Sequence, residues 1–180
     1  MGGKIRFNVA KFGAKVASQV SKFGFGSGNN LPGYVFYKIA GKEALKDLAH
    51  EMSIGPILIT GTNGKTTTTT LLIKLLSADT KIRKSFESNT IHAITTGILK
   101  GDGDLGVFEY GIRNKSYGIP DTVQRLIDPV GVVYTTISRE HSQVAGVKNP
   151  FEEYVDAKSL LSQGMTRGVV ISNADDPVTA

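Results

Sequence analysis

The most constraining stretch of the chain is Ile59-Thr60-Gly61-Thr62-Asn63-Gly64-Lys65-Thr66-Thr67. It follows the apolar run Pro56-Ile57-Leu58-Ile59-Thr60, which reads as a buried parallel strand. It opens residues 65–77, which read as a helix. A strand that turns through two glycines into a helix is the setting of a phosphate-binding loop. Gly61 and Gly64 let backbone N–H groups approach phosphate oxygens. The helix start adds unpaired donors and the positive end of its dipole. Lys65 supplies a point charge for outer phosphates and Thr66 a hydroxyl for magnesium, while Thr62, Asn63 and Thr67 complete the loop. The spacing G-x-x-x-x-G-K-[ST] is not met, because Ile59 stands where its first glycine belongs, so the loop is a shorter variant. The run Thr66 to Thr70 also favours a binding role, since β-branched residues open a helix poorly.

On either side of the loop the pattern alternates. Residues 4–23 read as a helix with Ile5, Val9, Phe12, Val16, Val20 and Phe23 on one stripe. Lys4, Lys11, Lys15 and Lys22 share another face. Gly24 to Gly33 is dense in turn formers and reads as a linker, followed by a short helix over 42–52. In the helix over 65–77, Leu71, Leu72, Leu75 and Leu76 are expected on the inner side. Strands are expected at 105–108, 130–137 and 168–172. Helices are expected at 121–127, with Pro120 in the first turn, and at 150–165, capped by Asn149. The expected fold class is therefore α/β: a mainly parallel sheet flanked by helices, with a variant phosphate loop and a short helical N-terminal segment.

Charge divides the chain. Residues 1–50 hold eight Lys/Arg and two Asp/Glu, and the other 130 residues hold thirteen and fourteen, so the net +5 belongs to the N-terminal segment. Such a segment suits an anionic partner, whether nucleic acid, membrane surface or phosphate-bearing substrate, or else it is a solvated face. No aromatic-rich groove or known motif supports nucleic acid, which leaves peripheral contact with a membrane surface through the basic N-terminus. The absence of cysteine excludes disulfides, thiolate metal sites and cysteine nucleophiles. No apolar run reaches membrane-spanning length and no secretory signal is recognisable, so a cytoplasmic setting is expected.

The short loop T-G-T-N-G-K-T-T resembles that of the Mur ligase family, which includes the muramyl peptide ligases and the folylpolyglutamate synthases. The resemblance continues in order along residues 57–177. Asp104-Leu105-Gly106-Val107-Phe108-Glu109 resembles the strand whose terminal glutamate binds magnesium. Thr136-Ile137-Ser138-Arg139-Glu140-His141 resembles the segment ending in the family's aspartate–histidine pair. Phe151 to Lys158 resembles the helix carrying a lysine that becomes carbamylated. Ser172-Asn173-Ala174-Asp175-Asp176-Pro177 resembles a segment near the adenine. Two positions depart from the pattern: Glu140 replaces the usual aspartate, and Glu109 is followed by Tyr110-Gly111 rather than serines. Leu31-Pro32-Gly33 and the early phosphate loop are similar to the Mur-like enzymes that amidate glutamate on lipid II and to the archaeal ligases of pseudomurein synthesis, and Glu87-Ser88-Asn89-Thr90 and Tyr110-Gly111-Ile112-Arg113-Asn114 resemble the archaeal group.

The resemblance implies an ATP-dependent ligase that phosphorylates a carboxylate and lets an amine displace the phosphate, in building cell-wall precursor peptides (pseudomurein or peptidoglycan). ATP and Mg2+ are the implied cofactors, and a nucleotide- or lipid-linked precursor and an amino acid the implied partners. Lys65, Glu109, His141 and Lys158 are the implied catalytic residues. Thr66, Glu109, His141 and Lys158 are the implied metal ligands, and Asn173 joins the loop in holding the nucleotide. A histidine is an unexpected partner for magnesium, and His141 would orient a water or bind weakly. A lysine ammonium repels cations, so Lys158 fits only as a carbamate formed on its neutral amine. The implied organisation is a basic helical segment over 1–52 and an ATP-binding central domain over 53–180, truncated and without the C-terminal ligase domain, hence inactive alone. The alternatives are a folylpolyglutamate synthase-like ligase, for which no pterin-binding loop is found, and a non-catalytic nucleotide-binding module.

Overall fold

A computed structural model of the chain describes residues 2–23, 28–85, 89–142 and 148–180. For His141 it describes the backbone alone. The expected turn residues 24–27 and the segment Glu87-Ser88 lie outside the described residues.

Helices α1 (Gly2–Lys22), α2 (Leu31–Ala40) and α3 (Ala44–Ala49) come first, then β1 (Gly55–Thr60) and α4 (Lys65–Leu76). They are followed by β2 (Ile82–Ser85), α5 (Ile91–Lys100), β3 (Leu105–Glu109), α6 (Pro120–Ile127) and β4 (Gly131–Tyr134). A 3-10 turn (Arg139–His141), α7 (Pro150–Ser159) and β5 (Val169–Ser172) complete the order. The five strands form one parallel sheet in the order β2-β3-β1-β4-β5. β1 is thus flanked by β3 and β4, with Ile59 opposite both Glu109 and Val133.

Alternation along the strands builds two cores. Leu58, Phe108 and Val132 point to one face, where they meet Ala10, Phe36, Leu48, Ile94, Leu126 and Tyr154 from the surrounding helices. Ile57, Ile59, Val107 and Val133 point to the other face, which α4 covers with Leu72, Ile73 and Leu76. Full burial of each such large apolar side chain contributes roughly 1.5–3 kcal/mol. The inward line of α4 is therefore Thr69, Leu72, Ile73 and Leu76, whereas Leu71 and Leu75, expected inside, are exposed. The buried stripe is thus shifted by one position from the expected one.

Other features differ from, or add to, the sequence reading. Leu31-Pro32-Gly33 is the first turn of α2 rather than a linker: Pro32 suits a helix start. Gly33 lets α2 press against α5, where an added Cβ would lie 2.0 Å from the His92 carbonyl oxygen. β2 and α5 are elements the periodicity did not reveal. Helix α7 ends at Ser159 instead of 165. Asn149 precedes it, but its amide donates to Glu152 Oε2 (2.7 Å) and makes no side-chain cap. Finally, α1 buries Ala10, Ala14 and Ala17 against α2, and the stripe Ile5 to Phe23 faces outward. β5 stands at the sheet edge with Val169, Val170 and Ile171 exposed.

Candidate active site

The C-terminal ends of β1, β3 and β4 meet at the phosphate loop, the place where open parallel sheets hold ligands. Gly61 has φ +148°, and a Cβ there would lie 2.0 Å from Thr135 Oγ1, so no other residue fits without displacing the strand beside it. Gly64 occupies the left-handed region (φ +83°) at the N-cap of α4 and turns the chain into the helix. The loop is tied to the end of β4. The Thr62 N–H donates to Thr136 O (2.5 Å), and Thr135 Oγ1 donates to Asn63 O (2.6 Å). Thr62 Oγ1 accepts from the Ser138 N–H (2.9 Å) and shares a hydrogen bond with Tyr154 Oη (3.0 Å). Asn63 Nδ2 donates to Glu140 Oε2 (3.0 Å), so the departure from aspartate at 140 gives a longer side chain that reaches the loop.

Lys65 opens α4, and its Nζ folds back onto Thr62 O (2.8 Å). Burial lowers its pKa, and the negative charge of Glu109 opposes that shift. Thr66 Oγ1 donates to Glu109 Oε2 at 2.7 Å, which joins the helix start to the end of β3. These are two hard oxygen donors on adjacent elements, next to a loop shaped for phosphate. They fit a magnesium ion that keeps waters and phosphate oxygens as its other ligands. Among the described residues no three His, Cys, Asp or Glu side chains cluster as a metal cage. Thr67, also in the first turn of α4, is exposed.

Lys158 lies 1 % exposed beneath the loop. Its Nζ donates to Gly61 O (3.2 Å), Ile112 O (3.2 Å) and Thr60 Oγ1 (3.4 Å), and it sits 4.4 Å from the centre of the Tyr154 ring. No carboxylate is among these partners. Burial first, and the charge of Lys65 second, push its pKa down to about 7. As an ammonium it does not fit a cation site. Its neutral amine, substantially populated at neutral pH, fits a carbamate. A polar cavity of about 130 Å³ connects Lys158 with Lys65, Asn89, Arg113, Tyr117 and Tyr154.

On the opposite side of the loop an open cavity of about 500 Å³ is lined by Asn63, Gly64, Thr68, Thr135, Thr136 and Asn173. Asn173 Oδ1 accepts from the Asp175 N–H (3.1 Å), so the turn holds Asn173 beside the phosphate loop. The structure thus gathers Gly61, Thr62, Asn63, Gly64, Lys65, Thr66, Glu109 and Lys158 around one loop, with Asn173 on its far wall. His141 enters only as backbone of the 3-10 turn, and its side chain lies outside what is described.

Several contributing residues escaped sequence reasoning. Asp176, buried, accepts from the Ile137 N–H (2.6 Å) and the Val178 N–H (3.0 Å), so it locks the Asn173 turn to the end of β4. Its sequence signal was the Asp-Asp-Pro turn itself. Thr135 and Tyr154 brace the loop, and Arg113 faces the smaller cavity. Nothing in their spacing marks them.

Comparison with known proteins accords with this geometry. The chain is 29 % identical over 143 residues to a UDP-N-acetylmuramoyl-tripeptide–D-alanyl-D-alanine ligase of Bacillus subtilis, which covers 75 % of the chain and 30 % of that ligase. Among solved structures it is similar to a MurF ligase from Thermotoga maritima in complex with ADP. That match has TM-score 0.62 and 21 % identity, over 76 % of this chain and 32 % of that one. It is also similar to a pseudomurein peptide ligase type C from Methanothermus fervidus, with TM-score 0.55 and 27 % identity over 70 % and 24 %. The chain therefore spans about a third or less of the length of these relatives. Residues 59–180 match the Mur ligase middle domain, and with the phosphate loop, Glu109 and Lys158 converging as described, the chain belongs to the Mur ligase middle domain family.

Proposed function

We propose that the chain carries the ATP-binding part of an ATP-dependent ligase that joins a carboxylate to an amine in the peptide of a cell-wall precursor, of peptidoglycan or pseudomurein type, in the cytoplasm. The observation that carries this reading is the convergence of Lys65, Thr66, Glu109 and Lys158 on the Gly61–Gly64 loop. The ADP in the Thermotoga maritima relative and the ligase activity for which the Bacillus subtilis one is named support it.

In this reading the carboxylate oxygen attacks the terminal phosphorus of ATP, the bond to the bridging oxygen breaks, and ADP leaves. The amine then attacks the acyl carbon of the acyl phosphate, loses a proton and expels inorganic phosphate. Such transfers depend mainly on positioning and charge neutralisation. The loop N–H groups and the start of α4 hold the phosphates, and the Lys65 ammonium leaves Thr62 O to meet the outer ones. Thr66 and Glu109 would hold one magnesium ion, which when bound would neutralise phosphate charge. Lys158, as a carbamate, would offer two anionic oxygens beneath the loop to a second magnesium, and His141 would serve that second metal. Asn173 meets the base edge. The cavity at Arg113 and Tyr117 lies beyond Lys65 and takes the carboxylate substrate.

Isothermal calorimetry with magnesium-ATP tests the reading. Charge-assisted hydrogen bonds contribute roughly 1.5–3 kcal/mol each, so Lys65→Ala should weaken binding about tenfold or more. Equal affinity of wild type and variant would remove Lys65 from the site.

A further inference from the structure

Helix α1 presents to solvent the face that a helix of a water-soluble domain normally hides. Its small residues Ala10, Ala14 and Ala17 pack against α2, with Phe7 edge-on to Phe36. Ile5, Val9, Phe12, Val16 and Val20, with Phe23 just beyond the helix, are each between 41 % and 80 % exposed. At 100° per residue these six fall on a single straight stripe, about 27 Å long at 1.5 Å per residue.

The same helix carries Lys4, Arg6, Lys11, Lys15 and Lys22 and no acidic residue. The four lysines lie together, about a third of a turn round from the stripe. Lys11 pairs with Glu51 (2.6 Å), and Arg6 Nε donates to Ile39 O (2.5 Å). Among the described residues Lys4, Lys15 and Lys22 form no ion pair. On the lysine flank a cavity of about 440 Å³ opens between Lys11, Phe12, Lys15, Pro32, Leu99 and Lys100. It offers ammonium groups above an apolar floor.

We propose that α1 docks this protein on an anionic lipid bilayer, lying in the interface with its stripe among the acyl chains and its lysines at the headgroup phosphates. A one-sided apolar stripe flanked by cations is the pattern of an interfacial helix. No described helix is long and apolar enough to cross a membrane, so α1 lies on the bilayer rather than through it. Charge selects the occupant. A second copy would bring five more cations and no anion against this helix, whereas anionic headgroups complement Lys4, Lys15 and Lys22, which form no ion pair among the described residues.

The placement has a functional sense. Residues 6 and 13 of α1 meet residues 39 and 35 of α2, so the two helices run antiparallel. The end of α1 then lies beside the start of α2, where Asn30 accepts from Thr90 Oγ1 (2.6 Å) next to Asn89 of the Lys158 cavity. The C-terminal end of a docked α1 thus lies at the same end of the sheet as the Lys158 cavity. The docking itself stands or falls apart from the ligase reading.

The test is co-sedimentation of the 180-residue chain with vesicles of mixed phosphatidylglycerol and phosphatidylcholine, against vesicles of phosphatidylcholine alone. The chain should pellet with the anionic vesicles and be released as salt rises. Phe12→Glu, at a position outside the core, should reduce partitioning about tenfold or more, and Lys15→Ala about fivefold. Leu75→Glu, equally exposed but on α4, should pellet like the wild type. The proposal is overturned if the wild type stays in the supernatant, or if Phe12→Glu pellets unchanged. It is equally overturned if Leu75→Glu loses as much, or if sedimentation equilibrium without lipid shows a dimer that Phe12→Glu dissociates.

Discussion

Lys158 sits where a positive charge is least at home, among carbonyl oxygens and a tyrosine ring with no carboxylate beside it. Its amine is held down to about 7, chiefly by burial, while in an unfolded chain it keeps its proton to near the ordinary 10.5. Between those values the unfolded state binds more protons. Stability therefore rises with pH from about 7 to 10.5, and the full penalty is present below 7. Comparing urea unfolding at pH 7 and pH 9, without magnesium and in buffer purged of carbon dioxide, the wild type should gain on the order of 2 kcal/mol relative to Lys158→Met. Parallel behaviour of the two proteins would mean that the ammonium is not destabilised where it lies. At this scale the sequence was partly legible. The three- and four-residue spacing that sets Lys158 beside Tyr154 and Leu161 is visible in the sequence, and all three side chains are buried. Asp176 and Thr135 were not legible, because their value lies in reaching backbone groups of segments 39 and 72–75 residues away, which no local spacing encodes.

Among the elements, those built on long apolar runs were readable and those built on close approach were not. β1, β3 and β4 are runs of buried residues between turns. α2 begins with Leu31-Pro32-Gly33, which by composition is a turn. It is a helix because Pro32 fills the first turn and Gly33 lets two helices touch, its N–H donating to Thr96 Oγ1 (2.9 Å). α5 hides behind β-branched residues, yet Thr90 caps it by accepting from the Ala93 N–H (3.2 Å), a signal present just before Ile91. β2 is four residues long and carries two charges, too little to show a period. The α1 stripe was legible as a stripe but not in its direction, since alanines opposite it make the closer contact with α2. Gly33 yields a prediction in which two effects oppose. Alanine is favoured over glycine within a helix by about 1 kcal/mol. Here its methyl group would strike the His92 carbonyl oxygen, and that backbone cannot yield cheaply. Gly33→Ala should therefore lower stability by at least about 1 kcal/mol, seen as a fall in Tm. A rise would show that α2 and α5 do not pack this closely.

Taken whole, the α/β class and the parallel sheet could be read from alternating strands and helices, but the strand order could not. β1 lies at the centre although it is the first strand made, and its neighbours β3 and β4 come much later. The Gly61–Gly64 loop is shaped by hydrogen bonds to Thr135 and Thr136, about 75 residues further along the chain. At roughly 5–20 residues per second of synthesis, a ribosome finishes the loop roughly 4–15 s before it supplies the residues that brace it. During that interval the nascent chain has the whole motif and no site. Photo-crosslinking of an azido-ATP to stalled chains of increasing length should therefore stay at background until Thr136 clears the exit tunnel, and then appear. Labelling of chains that end before β4 would mean that the loop shapes itself. In the proposed function nucleotide capture is in this sense timed by the topology, the motif becoming a binding site only when the second half of the sheet arrives.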